Sequence, residues 1–110
     1  MKTTQLTRGK SRRVMYIENK DGVIDSHSAR IGWVTFSKTG NTVYYREREL
    51  LRQKGGGVRG NFKDTDTGEE YWISGLKKTG SNTHWAESVR VAIDDDAREE
   101  YRRIKDFGED

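Results

Sequence analysis

The aromatic side chains and the arginines carry most of the chemistry this sequence has to offer. Trp33, Phe36, Tyr44, Tyr45, Phe62, Tyr71, Trp72 and Trp85 all fall in or beside segments that read as strands. Adjacent residues of a pleated strand face opposite ways, so Tyr44 and Tyr45 cannot both enter one core, and neither can Tyr71 and Trp72. Large rings must therefore face outward or toward another element. Beside Arg46, Arg48, Lys54, Arg59 and Lys63, outward rings would form a stacking platform along a basic groove, the arrangement that single-stranded nucleic acid binders use. In the competing placement, the C-terminal helix covers that second face through Tyr101 and Ile104 and makes it a second core.

Other motifs carry less. Gly55-Gly56-Gly57-Val58-Arg59-Gly60 satisfies the dinucleotide fingerprint letter by letter, but a strand-like Asn61-Phe62-Lys63 follows it where that fold needs a helix N-terminus. What remains is a glycine loop whose amides, with Lys54 and Arg59, suit a phosphate. Asp64, Asp66, Gly68 and Glu70 imitate the start of a calcium loop, yet the glycine is at the fifth position and no bidentate Glu closes the loop, so a hairpin turn is the better account. His27 and His84 belong to no metal-spacing motif, and no metal or cofactor is expected. His84, with Lys77 and Lys78, is the one set suited to a metal-independent phosphodiesterase, as base and phosphate-stabilising cations. Ser74-Gly75-Leu76-Lys77 has the serine–lysine spacing of penicillin-recognising enzymes but lacks the helix and the partner motifs.

The elements that would hold these residues are short. Residues 1–13 contain Lys2, Arg8, Lys10, Arg12 and Arg13, no acid, and only Met1 and Leu6 as apolar side chains, which reads as a flexible basic arm. A single domain is expected over residues 14–107. Val14–Ile17 is a first strand ending in the Asn19-Lys20-Asp21-Gly22 turn. Ile31–Phe36 and Thr42–Arg48, joined by Ser37–Asn41 with Gly40 in the left-handed region, read as a hairpin. Asn61–Lys63 and Glu69–Ser74 repeat the pattern, with Gly68 in the part of Gly40. Gly32, Gly60 and Gly75 fall where barrels bend. Val89, Val91 and Ile93 alternate with Ser88, Arg90 and Ala92 as a further strand. Asp94-Asp95-Asp96 then supplies an N-cap and first-turn charge for a helix over about 95–106, with Ala97, Tyr101 and Ile104 on one stripe. Five or six short antiparallel strands and a terminal helix predict a small β-barrel of the Src-homology-three or Sm kind. The alternative is an open antiparallel sheet with the helix packed on one face.

Composition sets the frame. Of 110 residues, 39 are charged, 31% are hydrophobic and none is Cys or Pro. That excludes a disulfide scaffold, a thiol nucleophile and a thiolate metal site. No apolar run is long enough for a membrane helix, and the first residues are unlike a secretory signal, so a cytoplasmic location without a membrane partner is expected. The net charge of +3 hides an asymmetry: residues 1–63 hold 14 basic and 5 acidic side chains, net +9, and residues 64–110 hold 7 and 13, net −6. Such a division suits either a basic surface for a polyanion or two halves that neutralise each other.

The segments ARIGWVTFSKTGNTVYYR, KGGGVRGNFKDTDTGEEYWISGLKKTG and VAIDDDAREEY, within Ala29–Tyr101, resemble a family of short stand-alone bacterial proteins, some of which are labelled deoxyxylulose-phosphate synthase. The resemblance covers about two-thirds of the chain and implies a bacterial origin and a compact β-rich fold, but brings no catalytic residues to transfer. A chain of 110 residues is too small to hold thiamine diphosphate together with its substrate, and no motif for that cofactor is present. The family pattern often has a basic residue after the Gly80 loop, where this chain has Thr83.

These readings converge on a non-catalytic small-barrel binding module for RNA or single-stranded DNA. Arg12, Arg13, Arg46, Arg48, Lys54 and Arg59 are expected on phosphates, and Tyr44 and Trp72 on bases. The main rival is a protein-interaction role, for example an inhibitor or immunity-type partner whose acidic half (Glu69, Glu70, Asp94 to Asp96) masks a basic target. A small phosphodiesterase ranks third.

Overall fold

A computed structural model describes residues 11–54, 60–76 and 91–107. Seven strands run in the order β1 (Ser11–Asn19), β2 (Ala29–Phe36), β3 (Thr42–Tyr45), β4 (Arg48–Arg52), β5 (Phe62–Asp64), β6 (Glu70–Ser74) and β7 (Val91–Ile93), followed by a 3-10 turn (Asp95–Ala97) and helix α1 (Arg98–Phe107). Strands β1 to β6 pair antiparallel with their neighbours in sequence. β6 returns to β1 through Tyr16↔Ser74 to Asn19↔Tyr71, which closes a six-stranded barrel. Closure removes the edges that an open sheet would present and sets that alternative aside.

The expected hairpins form, with Gly40 at φ +80° and Gly68 at φ +82° in their turns. Three expectations need correction. First, Thr42–Arg48 is not one strand: Arg46 (φ +45°) and Glu47 (φ +66°) make a two-residue turn between β3 and β4. The left-handed conformation at both central residues matches the twist of a hairpin, and glycine or asparagine usually marks it. Second, β1 starts at Ser11, so Arg12 and Arg13 are strand residues paired with Thr35 and Val34 and not part of an arm. Third, β7 joins the sheet parallel to β2, with Ala29↔Val91 through Ile31↔Ile93, whereas antiparallel pairing was expected throughout. Residues 1–10, the glycine loop over 55–59, and the segment holding Lys77, Lys78, Thr79, Gly80, Thr83, His84, Trp85 and Val89 lie outside the described residues.

Alternation along the strands builds two cores. Met15, Ile17, Val34, Val43, Tyr45, Leu50, Phe62, Tyr71 and Ile73 fill the barrel interior together with Ile24 from the β1–β2 connection. On the outside of β1 and β2, Val14, Tyr16, Ala29 and Ile31 meet Ala97, with Trp33, Trp72, Ile93, Tyr101 and Ile104 packed around them. The helix stripe therefore covers one outer face, as the competing placement anticipated. Tyr45 and Tyr71 point in, while Tyr44 and Trp72 point out.

Candidate ligand-binding face

One end of the barrel is tied by charge. The β1–β2 connection turns through Asp25 (φ +49°) and Ser26 (φ +82°), bracketed by the Ile24–His27 backbone pair, and it faces the Arg46-Glu47 turn. Arg46 Nε donates to Asp25 Oδ2 at 2.7 Å and Arg48 Nη2 to Asp25 Oδ1 at 3.3 Å. These two guanidiniums, Arg46 first, hold the Asp25 carboxyl below the usual carboxylate range. Arg30 reaches back to the carbonyls of Ile24 and Asp25 and donates to Asp94 Oδ1 at 3.0 Å.

Asp94 is a buried carboxylate, and its second oxygen accepts from the Tyr45 hydroxyl at 2.5 Å and lies 3.4 Å from Arg46 Nη1. It sits where the outer edge of β2 changes partner from β7 to β3. Gly32 occupies that point, and a Cβ there would come within 2.2 Å of Asp94 Oδ2 and 2.9 Å of the Tyr45 ring. The helix N-cap expected of Asp94 is absent, since its side chain makes no capping hydrogen bond and goes to the barrel instead. Burial, followed by the hydrogen bond to Asp94, pushes the Tyr45 hydroxyl far above its ordinary range.

A different surface lies on the outside of β1, β2 and β3. The register sets Arg12 opposite Thr35 and Thr35 opposite Tyr44, so these three side chains form one row across the sheet. The Arg12 guanidinium rests over the Trp33 ring, 4.1 Å from its centroid, and the Trp33 indole N–H donates to the Asp96 carbonyl at 2.9 Å. Both contacts fix the indole plane. Tyr44 is 40% exposed. Between the stacked pair and Tyr44 runs an open groove of about 350 Å³, whose rim includes Glu47 and Asp96. On the other side of Trp33, a cleft of about 430 Å³ lies between β1 and α1, bordered by Arg13, Leu76 and Glu100. A third cleft, about 820 Å³, is lined by Asp25, Arg48, Glu49, Asp64 and the turn residues Asp66 and Thr67. It offers mixed charge and no aromatic ring, so it has nothing on which a planar ligand could stack.

The predicted site residues are thus divided. Arg12 and Tyr44 share one groove. Arg46 also borders it, but its charge is held by Asp25 and Asp94, and Arg48 is held by Asp25. Trp72 is packed into the second core and is not an open platform. Lys54 is exposed, Arg13 borders the cleft beside α1, and Arg59 lies outside the described residues. Asp64 Oδ1 accepts from the amides of Asp66 and Thr67 and so caps the hairpin turn. Sequence reasoning left Trp33, Thr35, Glu47 and Asp96 out of the site. Their place depends on the β1–β2–β3 register and on the Arg46-Glu47 turn, neither of which carries a local marker.

Fold and face together define a small closed antiparallel barrel with a helix over one outer face and an aromatic–cationic groove beside it. Comparison with protein-family models, with curated proteins and with solved structures found no match for the chain. Among the described residues, no helix is long and apolar enough to cross a membrane, and no group of His, Cys, Asp or Glu side chains is placed to hold a metal ion.

Proposed function

We propose that this protein is a non-catalytic binding module for RNA or single-stranded DNA, with its ligand lying across the outer face of β1, β2 and β3. One observation carries the reading: an exposed Tyr44 stands across the strands from a fixed Arg12–Trp33 stack, which puts a ring for a base beside a cation for a phosphate. Stacking is available to any base, and each stacked base contributes about 1–3 kcal/mol. Arg13, Lys54 and Lys63 are further exposed cations that make no ion pair among the described residues. Of the other arginines expected on phosphates, Arg46 borders the groove while paired with Asp25 and Asp94, and Arg48 is paired with Asp25.

The test is fluorescence anisotropy with a labelled single-stranded oligonucleotide pool over a salt series. Log affinity is expected to fall by about 0.7 per phosphate neutralised for each unit of log salt. Arg12→Ala should lower the slope by roughly that amount, and Tyr44→Ala should weaken binding by about 1–3 kcal/mol with the slope unchanged. No binding to any pool at low salt would reject the proposal.

A protein partner is the second reading, favoured by Leu51, 45% exposed on the same outer side as Tyr44, and by the near-neutral pairing around Asp25. It forecasts a complex that survives high salt. Cleavage of the labelled strand would instead favour the phosphodiesterase reading built on Lys77, Lys78 and His84.

A further inference from the structure

We infer that the groove between the Arg12–Trp33 stack and Tyr44 selects a guanine base through the carboxylates of Glu47 and Asp96. The inference rests on the nucleic-acid reading above and adds the identity of the base. A polyanion binder is expected to keep acids away from its contact face, because a carboxylate near phosphate is repelled. This groove nevertheless carries two on its rim beside Tyr44. Both side chains are exposed, and neither carboxylate makes a hydrogen bond or ion pair among the described residues. They differ in this from Asp94, whose oxygens are taken by Arg30, Tyr45 and Arg46.

Both are also held in place by backbone. Glu47 is fixed at φ +66° in the two-residue turn that follows Tyr45. Asp96 lies in the 3-10 turn whose carbonyl receives the Trp33 indole N–H, so the acid and the stacking wall move as one piece.

A carboxylate only accepts hydrogen bonds, through two oxygens side by side. Guanine alone among the bases presents two adjacent donors on its pairing edge, the N1–H and the N2 amino group, which match that fork. Adenine and cytosine set a ring-nitrogen acceptor next to their amino group, and uracil flanks its one N–H with two carbonyls. Each would place a lone pair against a carboxylate oxygen. A base lying against Tyr44 turns its edge toward the rim, where the pairing edge of an unpaired base is read.

The experiment uses the full chain and single-stranded oligouridines of about ten nucleotides carrying one central guanine, adenine, cytosine or inosine, so that no guanine-run structure forms. Guanine is expected to bind about tenfold tighter than adenine or cytosine, with inosine, which lacks the N2 amino group, in between. In Glu47→Gln or Asp96→Asn, the preference should fall to about twofold while affinity for plain oligouridine stays level or rises, because a charge that repels phosphate has been removed. A fold-damaged variant would lose both affinities together, and circular dichroism identifies it. Equal affinity for all four central bases, or a guanine preference kept by both variants, overturns the inference and leaves the nucleic-acid reading standing. Failure of every oligonucleotide to bind removes that reading and this one with it.

Discussion

Asp94 shows why a buried carboxylate is tolerated in so small a protein. Taking an ion out of water costs several kcal/mol unless hydrogen bonds and counter-charges replace the lost solvation. Here Tyr45, Arg30 and Arg46 all reach it, and they come from two different strands and a turn. The missing side chain of Gly32 is what lets the carboxylate approach. Gly32→Ala is therefore expected to lose about 2–3 kcal/mol, by forcing Asp94 or Tyr45 out of its bond as well as by crowding. A urea midpoint measured by circular dichroism checks this, and a midpoint equal to that of the parent would show that Asp94 has room to move. The sequence marks Gly32 as a bend and Asp94 as a helix cap. Neither reading marks the contact between them: Gly32 lies inside β2 where Asp94 and Tyr45 approach it, and the partners of Asp94 lie up to 64 residues away, where local spacing says nothing about them.

Turns and registers separate what local chemistry encodes from what it leaves open. The Ser37–Asn41 and Asp64–Gly68 turns are legible because each needs a left-handed residue and uses glycine for it. The Arg46-Glu47 turn is illegible because it places ordinary side chains in that same conformation, which costs about 1 kcal/mol or more at each. Asp25 holds Arg46 there from the facing turn. Glu47→Gly should accordingly raise stability by about 0.5–1 kcal/mol, seen as a melting temperature roughly 4 °C higher, while reducing the guanine preference to about twofold. A lower melting temperature would mean that Glu47 has a structural role its exposed carboxylate does not reveal. The Val91–Ile93 strand follows from its alternation, but not its parallel direction, since the long connection from β6 permits either. The helix stripe Ala97, Tyr101, Ile104 is legible from its spacing alone, and it seals the second core. Ile104→Ala should cost about 1–2 kcal/mol, less than a fully buried site, and shift tryptophan emission to the red as Trp33 and Trp72 gain water.

Across the described residues, the charge asymmetry resolves into a network of pairs at one barrel end, a few isolated pairs such as Lys20–Glu18 and Arg103–Glu100, and the exposed cations Arg13, Lys54 and Lys63, which make no ion pair there. The barrel end uses Asp25 and Asp94 against Arg30, Arg46 and Arg48, so two of the arginines most prominent in the sequence are committed to structure. The outward ring of Tyr44 was readable from the pleat; the burial of Trp72 was not, because it depends on where the helix lands. Three interior hydroxyls, those of Tyr16, Tyr45 and Tyr71, have their pKa raised chiefly by burial. A raised folded-state value contributes stability in full below the unfolded pKa of about 10 and loses it above, so stability should fall by up to about 1.4 kcal/mol per pH unit per tyrosine beyond that point. Urea midpoints between pH 8 and pH 11, of which only about the last unit lies beyond that pKa, would show it, and a flat profile would mean that these hydroxyls ionise in the folded state as readily as in the unfolded one.

The last test of the polyanion surface concerns the cations that precede the barrel. Residues 1–10 hold Lys2, Arg8 and Lys10 and no acid. Removing residues 1–13 would also strip Ser11, Arg12 and Arg13 from their pairing with Phe36, Thr35 and Val34, confusing lost charge with lost strand. Removing residues 1–10 alone leaves β1 whole. If those three cations contact single-stranded phosphates, the salt slope should drop by up to about 2, at roughly 0.7 for each, with the melting temperature unchanged. A slope that stays the same would confine the phosphate contacts to the barrel, where Arg12 stacks on Trp33 and lines the groove beside Tyr44, and Arg12→Ala should then lower the slope by about 0.7 on its own.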